Sequence, residues 1–367
     1  MTDRLLETPG GDLTKAVNGF LACLLSGGKV KGVLVLQKVG SGRSAFPVLV
    51  SDPIKMECDP FAPLLPVSTA KIVSRMTRRG PSNKPLAVVL RPCELRALTE
   101  LVKLNQADLA NITLIGIDCP GTFPLNTFSS LPKDMDPTRT VLSGIGAEKL
   151  LRSACLSCRE PVPSTADIII GIFGMDPGKG VLVRANTEAG EKLLEGLDLK
   201  ETEAPRDRER AIEELQTKRD AARKDLAERG GKVQGIERLS EFFDTCINCH
   251  NCMKNCPICY CRECLFESSV LDMEANRYVA KAGSKGIMKT PTDTLLFHIT
   301  RFNHMILSCV ECGLCEQACP AGIPLMDIII PIAENAQKEF EYGPGRDPKE
   351  PLPMIVYREN EFEGIGE

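Results

Sequence analysis

The residue best able to do chemistry in this chain is cysteine, with 17 among 367 residues. Eight of them fall into two copies of one pattern: Cys246-x2-Cys249-x2-Cys252-x3-Cys256-Pro257 and Cys309-x2-Cys312-x2-Cys315-x3-Cys319-Pro320. This is the spacing of bacterial ferredoxins. Three thiolates on a tight loop wrap three corners of a 4Fe–4S cubane, and the x3 step with its proline sends the fourth thiolate to the other cluster. One cluster is therefore expected on Cys246, Cys249, Cys252 and Cys319, and the other on Cys309, Cys312, Cys315 and Cys256. Zinc knuckles or plain buried thiols are the competing reading. Two complete copies, each closed by Cys-Pro, favour clusters.

Other cysteines are less ordered. Cys259, Cys261 and Cys264 follow at once in Pro257-Ile-Cys-Tyr-Cys-Arg-Glu-Cys. Without a fourth partner they read as reduced, packed thiols, a further metal being the alternative. Cys23 and Cys58 read as small hydrophobes. Ahead of the second motif, residues 292–306 carry a helical pattern with Leu295, Ile299, Phe302 and Ile306 on one face and Leu296 beside them. On this helix Arg301 and His304 are read as capping or packing residues, with a hydrogen bond to cluster sulfur as the alternative.

Of all residues 43% are hydrophobic, and the net charge is −4, from 45 basic and 49 acidic residues. No long basic tract marks a nucleic acid or anionic membrane partner, and with 5% aromatics and no Trp a base-stacking surface is not expected. Met1–Gly11 is polar and charged rather than a secretory leader, and Ile323–Ala333 is too short to span a bilayer. Reduced, metal-binding cysteines and a cytoplasmic location fit that picture.

The elements that must hold these residues come in two styles. Residues 1–200 alternate strands and helices. Val30–Val39 and Ala45–Ser51 pair across a Gly40-Ser41-Gly42 turn. Leu86–Leu90, Ile112–Ile117 and Ala166–Ile172 are buried-strand runs, with Val181–Ala185 another strand. Glu94–Leu104 and Glu188–Leu197 are helical. This is an α/β domain. Residues 201–235 are a charged helical linker: 201–232 hold nine acids and nine bases, with Glu214–Lys218 and Asp220–Lys224 at i,i+4, and read as solvated. Residues 236–342 form a mainly helical ferredoxin domain of bacterial type. The tail, 343–367, is expected to lie along another surface.

The N-terminal half has an ordered set of short motifs. Gly10-Gly11-x-x-Thr14 opens a helix, Arg91-Pro-Cys93-Glu follows one strand, and Cys119-Pro follows another. Cys155-x2-Cys158 then precedes Ala166-Asp-Ile-Ile-Ile-Gly171. This order resembles the beta-subunit family of coenzyme F-420-reducing hydrogenases and formate dehydrogenases, over about residues 10–200, and members of the formate dehydrogenase kind also carry a two-cluster ferredoxin module. The resemblance implies an α/β domain holding FAD and a third 4Fe–4S cluster, with Cys93, Cys119, Cys155 and Cys158 as its ligands. For FAD it points to Gly10, Gly11 and Thr14, where glycines at a helix start let backbone amides approach a pyrophosphate. An ordinary helix cap is the other reading. Ser68, Thr69 and Lys71 form a second polar group, placed beside the isoalloxazine. No strand-linked G-x-G-x-x-G is present.

The implied function is an electron-transfer flavo-iron-sulfur subunit of a formate dehydrogenase or hydrogenase. It would pass electrons between three 4Fe–4S clusters and FAD, and on to coenzyme F-420, beside a catalytic partner subunit. Its rival is a non-catalytic adaptor linking a dehydrogenase to a heterodisulfide-reductase-like complex. Two features feed the rival: Arg91, where the family pattern is uncharged, and Phe297–His304, which resembles the lead-in of heterodisulfide-reductase C-type subunits.

Overall fold

The structure is a computed structural model, and it describes residues 3–40, 44–144, 146–203, 205–269, 274–286, 294–357 and 359. Its N-terminal part holds strands β1 (Asp3–Glu7), β2 (Gly32–Val39), β3 (Ser44–Val50), β4 (Leu86–Leu90), β5 (Ile112–Ile117), β6 (Ile168–Gly171), β7 (Gly180–Ala185) and β8 (Lys200–Glu201). They form one eight-stranded sheet in the order β3-β2-β4-β5-β6-β7-β1-β8. Strands β2, β4, β5 and β6 run parallel, and β3, β7, β1 and β8 add antiparallel edges.

The central strands LAVVL and ITLIGI are almost unbroken apolar runs because helices cover both faces. The connecting helices are α1 (Leu13–Ser26), α2 (Thr69–Thr77), α3 (Pro92–Lys103), α4 (Leu125–Ser130), α5 (Pro137–Ser143), α6 (Ser153–Leu156) and α7 (Glu188–Leu194). Helix α1 buries Leu13, Val17, Phe20, Leu21 and Leu24, and with Leu193 and Leu194 of α7 covers the face showing Val33, Val35, Val89, Ile115 and Ile170. The other face, with Leu34, Val88 and Leu114, is covered by Ala70 and Val73 of α2 and Leu95 and Leu98 of α3. That core runs on into the C-terminal part, through Phe243, Phe297, Phe302 and Ile329.

The predicted strands are present, with Ser41 and Gly42 of the expected turn outside the described residues. The terminal strand β1 goes beyond the sequence reading, which took it for a polar start. Its charges are spent locally: Arg184 donates to Asp3 at 2.6 and 2.9 Å, and Arg4 pairs with Glu191. Leu5 and Leu6 then lie in register with Leu182 and Val181.

The C-terminal part holds α8 (Asp207–Gly230), α9 (Gly235–Phe242), α10 (Asn251–Asn255), α11 (Ala275–Lys285), α12 (Thr294–Met305), α13 (Leu314–Gln317) and α14 (Met326–Glu339). Helix α8 is the predicted charged helix, but it is not a solvated connector. Arg208, Arg219, Arg223 and Leu226 are buried. Arg208 makes a two-pronged pair with Asp118 at 2.6 and 2.9 Å, and Gly174 lets the helix approach, since a Cβ there would lie 2.5 Å from the Arg208 Cα. Arg223 grips Glu311 at 2.7 Å and Glu334 of α14 at 3.0 Å. The expected pairs are replaced: Glu214 faces Arg210, and Asp220 accepts from Arg159 at 2.7 Å, because the acids meet arginines on neighbouring turns and elements. The chain after α14 returns to α3, where buried Glu100 accepts from Tyr342 Oη at 2.6 Å and from the Gly345 amide at 2.8 Å. Among the described residues no helix is long and apolar enough to cross a membrane.

Candidate electron-transfer centres

The two ferredoxin loops share one backbone device. In the first, Asn248 and His250 take positive φ of 53° and 56°; in the second, Glu311 and Gly313 take 56° and 67°. Left-handed residues between right-handed ones turn successive amides inward and build an anion-binding concavity. Each loop then enters a short helix, α10 or α13, that carries the third cysteine, Cys252 or Cys315.

Cys319 of the second loop joins Cys246, Cys249 and Cys252 of the first around one cavity. The Asn248 amide donates to Cys246 Sγ at 3.4 Å. His298 stands at 3.4 Å from that sulfur through Nε2 and stacks on Phe243 with ring centroids 3.8 Å apart. Burial pushes the Cys252 thiol up to about 11, and its other neighbours include Cys315 and the guanidinium of Arg301.

Cys256 lies with the second loop. Burial raises the Cys309, Cys312 and Cys315 thiols, Cys312 to about 12, and the nearness of Cys256 raises each further. Arg301, 3% exposed, sits among Cys315, Cys252, Cys256 and Cys259, so its charge acts on the thiols of both loops. Cys259 is hydrogen-bonded to Cys256, and Cys264 Sγ lies 3.6 Å from Met253 Sδ.

Helix α12 differs from its expected orientation. Its buried side is Thr294, Phe297, His298, Arg301, Phe302 and Met305, whereas Leu296 and Ile299 are 53% and 39% exposed. The polar His–Arg pair faces inward because the thiols lie there. His304, singled out with Arg301, is exposed; the histidine at a thiol is His298. Thr292 lies outside the described residues.

Cys93, Cys119, Cys155 and Cys158 line a third cavity at the C-terminal ends of the parallel strands, the usual crevice of an α/β sheet. Cys93 opens α3 directly after β4, Cys119 follows β5, and Cys155 lies in α6. Three buried arginines surround them. Arg91 reaches Cys119 Sγ at 3.7 Å while its Nη2 donates to the Pro60 carbonyl at 3.1 Å. Arg152 donates to Cys155 Sγ at 3.5 Å and Arg219 to the Pro120 carbonyl at 3.1 Å. Burial pushes the Cys155 thiol up, but Arg152 and the Thr122 hydroxyl and amide bring it below its ordinary value. Cys93 is raised by burial first and by Cys312 second. Cys312 lines the same cavity, and Gly313 makes the approach possible, since a Cβ there would meet Ala154 Cβ at 2.4 Å.

These donor sets fit cubanes better than single ions. Among the described residues no three His, Cys, Asp or Glu side chains close on one point as a lone zinc would require. Instead thiols surround volumes, and buried guanidiniums supply the counter-charge that thiolates need. Arg152 and Arg219 escaped the sequence reading, although Arg219, Arg223 and Leu226 at i, i+4 and i+7 mark a buried stripe on the charged helix.

The residues proposed for FAD separate. Gly10, Gly11 and Thr14 line a groove of about 820 Å³ with Lys15, Lys38 and Arg139. Of the amides at this helix start, that of Gly11 donates to the Thr8 carbonyl at 2.9 Å and that of Lys15 to the Asp12 cap at 2.9 Å. Ser68 and Thr69 are buried at the start of α2, where the Thr69 amide donates to Glu94 at 2.7 Å. Lys71 lines another cavity and donates to the Lys254 and Cys256 carbonyls at 2.5 and 3.0 Å. The Gly10 groove offers a dinucleotide its size and three basic side chains, with the Lys15 amide committed to the Asp12 cap.

A family model described as a 4Fe-4S dicluster domain matches residues 242–323. The F420-dependent formate dehydrogenase subunit beta of Methanocaldococcus jannaschii is 26% identical over 366 residues, covering 90% of this chain and 92% of its own. The F420-dependent formate dehydrogenase 1 subunit beta of Methanococcus maripaludis is 30% identical over 380 residues, covering 93% of each. Among solved structures, a chain of the F420-reducing [NiFe] hydrogenase complex from Methanosarcina barkeri aligns with a TM-score of 0.46 at 15% identity, over 65% of this chain and 94% of that one. This chain thus belongs to the family of F420-dependent formate dehydrogenase beta subunits, and is an oxidoreductase subunit with a 4Fe–4S dicluster domain.

Proposed function

We propose that the chain is the flavo-iron-sulfur subunit of a formate dehydrogenase or hydrogenase type complex, passing electrons between three 4Fe–4S clusters and FAD and on to coenzyme F-420. A separate catalytic subunit would oxidise the substrate. Bound clusters supply one-electron carriage and FAD supplies the exchange between single electrons and hydride.

The observation that carries this reading is Cys312. It belongs to the second ferredoxin loop and lines the cavity of Cys93, Cys119, Cys155 and Cys158. The sets Cys246/Cys249/Cys252/Cys319, Cys309/Cys312/Cys315/Cys256 and Cys93/Cys119/Cys155/Cys158 then stand as neighbours in series. Beyond the third set, Arg91 ties the cavity to the Pro60–Leu64 segment, through the Pro60, Ala62 and Leu64 carbonyls. Cys58 and Asp59, just before that segment, line the Gly10 groove. Arg91 thus has a local use, holding the Pro60–Leu64 segment beside the third set.

Cys93→Ala tests the route. The variant should keep both ferredoxin signals in its electron paramagnetic resonance spectrum, keep its flavin content, and reduce flavin far more slowly than the parent when given a chemical reductant. Flavin reduction at the parental rate would make Cys93 a core thiol and remove the third cluster.

A further inference from the structure

A cavity of about 960 Å³ opens between α2, the segment around Cys256–Glu267 and α12, away from the Gly10 groove. It is lined by Lys71, Arg75, Arg78, Lys254, Arg262 and Arg301 against a single acid, Glu267. Arg301 answers to the cluster thiols, so the other five cations less one anion leave +4 facing this space, in a chain whose net charge is −4.

Most of that charge is free. Glu267 is held by Lys254 at 2.9 Å, and Lys71 is bound to two carbonyls. Arg75, Arg78 and Arg262 enter no ion pair among the described residues. Arg301, 3% exposed, forms the inner part of the wall, where its charge answers to Cys256 and Cys259. Concentrated like charge in a recess is costly to hold and focuses its field on an anion. The remaining wall is apolar, with Leu101, Leu104, Ile258, Met305 and Tyr260. Concave shape, mixed apolar and basic lining and this volume are those of small-molecule sites.

We propose that this cavity binds a phosphate-bearing ring cofactor of the mononucleotide or dinucleotide class. The phosphate would meet Arg75, Arg78 and Arg262, and the ring the apolar wall beside Cys256 and Cys259. The concave shape of the recess and its mixed apolar and basic wall favour this ligand over an acidic protein segment, which would be met on a flatter face. The site stands on the cavity's own charge and does not depend on FAD in the Gly10 groove.

The test uses the full-length chain, prepared without oxygen, with flavin mononucleotide and riboflavin as probes that share a ring and differ by the phosphate. Flavin mononucleotide should bind one per chain, more weakly as salt rises, and riboflavin roughly tenfold less tightly or worse. Arg75→Gln/Arg78→Gln and Arg262→Gln alter exposed side chains and should fold normally, yet each should lose about tenfold in affinity for the phosphorylated probe. Thr14→Val should leave this binding unchanged, while any flavin lost from that variant reports on the other groove. If the chain is isolated with the site filled, release of a phosphorylated cofactor on heating from the parent but not from the double variant is the same positive result. Equal binding of riboflavin, parental affinity in the arginine variants, failure of any phosphorylated probe to bind, or preferential binding of an oligoglutamate peptide would each overturn the proposal.

Discussion

Arg301 shows what single residues do here. A guanidinium cannot shed its proton, so one that is 3% exposed must find negative charge nearby. Its Nη2 meets Met305 Sδ at 3.9 Å, its side chain also hydrogen-bonds Cys315 and Cys259, and its charged neighbours are Cys315, Cys252, Cys256 and Cys259. The thiolates of both ferredoxin sets are thus its counter-ions. Removing the cation makes the more negative, reduced state of each centre less favourable. Arg301→Gln should therefore lower both ferredoxin midpoint potentials, on the order of 60 mV or a tenfold shift in a one-electron equilibrium, while Arg301→Lys should stay near the parent. Redox titration followed by electron paramagnetic resonance decides it, and unchanged midpoints would show the charge to be compensated elsewhere. The cysteines could be read from sequence because one tight loop fixes their spacing. The arginines were legible only in part: Arg301 stood out beside the second motif and Arg91 before Cys93, but Arg152 and Arg219 come from separate segments and share no spacing with the cysteines they serve.

At the scale of elements, helix α8 acts as a strut between the sheet and the ferredoxin part. Arg208 locks it to Asp118 at the end of β5, and Arg223 locks it to Glu311 beside Cys312 and to Glu334 on α14. Composition alone could not expose this, because an even mixture of acids and bases looks the same whether its arginines face water or protein. The strands were legible, since apolar runs between turn residues have few other uses; β1 was not, since its short DRLLE run hides two half-buried leucines between charges. Burial raises the Glu334 carboxyl, but the hydrogen bonds from Arg159 and Arg223 prevail and hold it below its ordinary value of 4.5. Because the folded value is depressed, the stabilisation is complete above the ordinary value and is lost as pH falls through the folded one. Amide hydrogen exchange in α8 and α14 should accelerate over that acid window, beyond the intrinsic pH effect. Glu334→Gln should remove much of this dependence, and identical pH profiles for variant and parent would mean that the Arg223–Glu311 pair alone holds the strut.

Across the whole molecule, the fold places its thiol sets side by side by crossing the chain over itself. The third set hangs on the C-terminal strand ends, the second loop touches it through Cys312 and Gly313, and the first loop shares Arg301 with the second. Crossing is the part of this arrangement that a metal assay can test. If each motif closed on its own four sulfurs, as a zinc knuckle does, losing Cys319 would damage only the second motif. In this structure Cys319 lies with Cys246, Cys249 and Cys252, while Cys256 bears on Cys309, Cys312 and Cys315. Three cubanes predict about twelve iron per chain in an oxygen-free preparation. Cys319→Ala should then open one iron corner of the first motif's cluster, lowering the count by one iron if a three-iron cluster survives or by about four if it is lost. The signal assigned to the second motif should persist, and Cys256→Ala should do the reverse. Spectra of both variants, assigned against Cys246→Ala and Cys309→Ala, separate the two architectures: if Cys319→Ala matches Cys309→Ala rather than Cys246→Ala, the crossed arrangement is wrong.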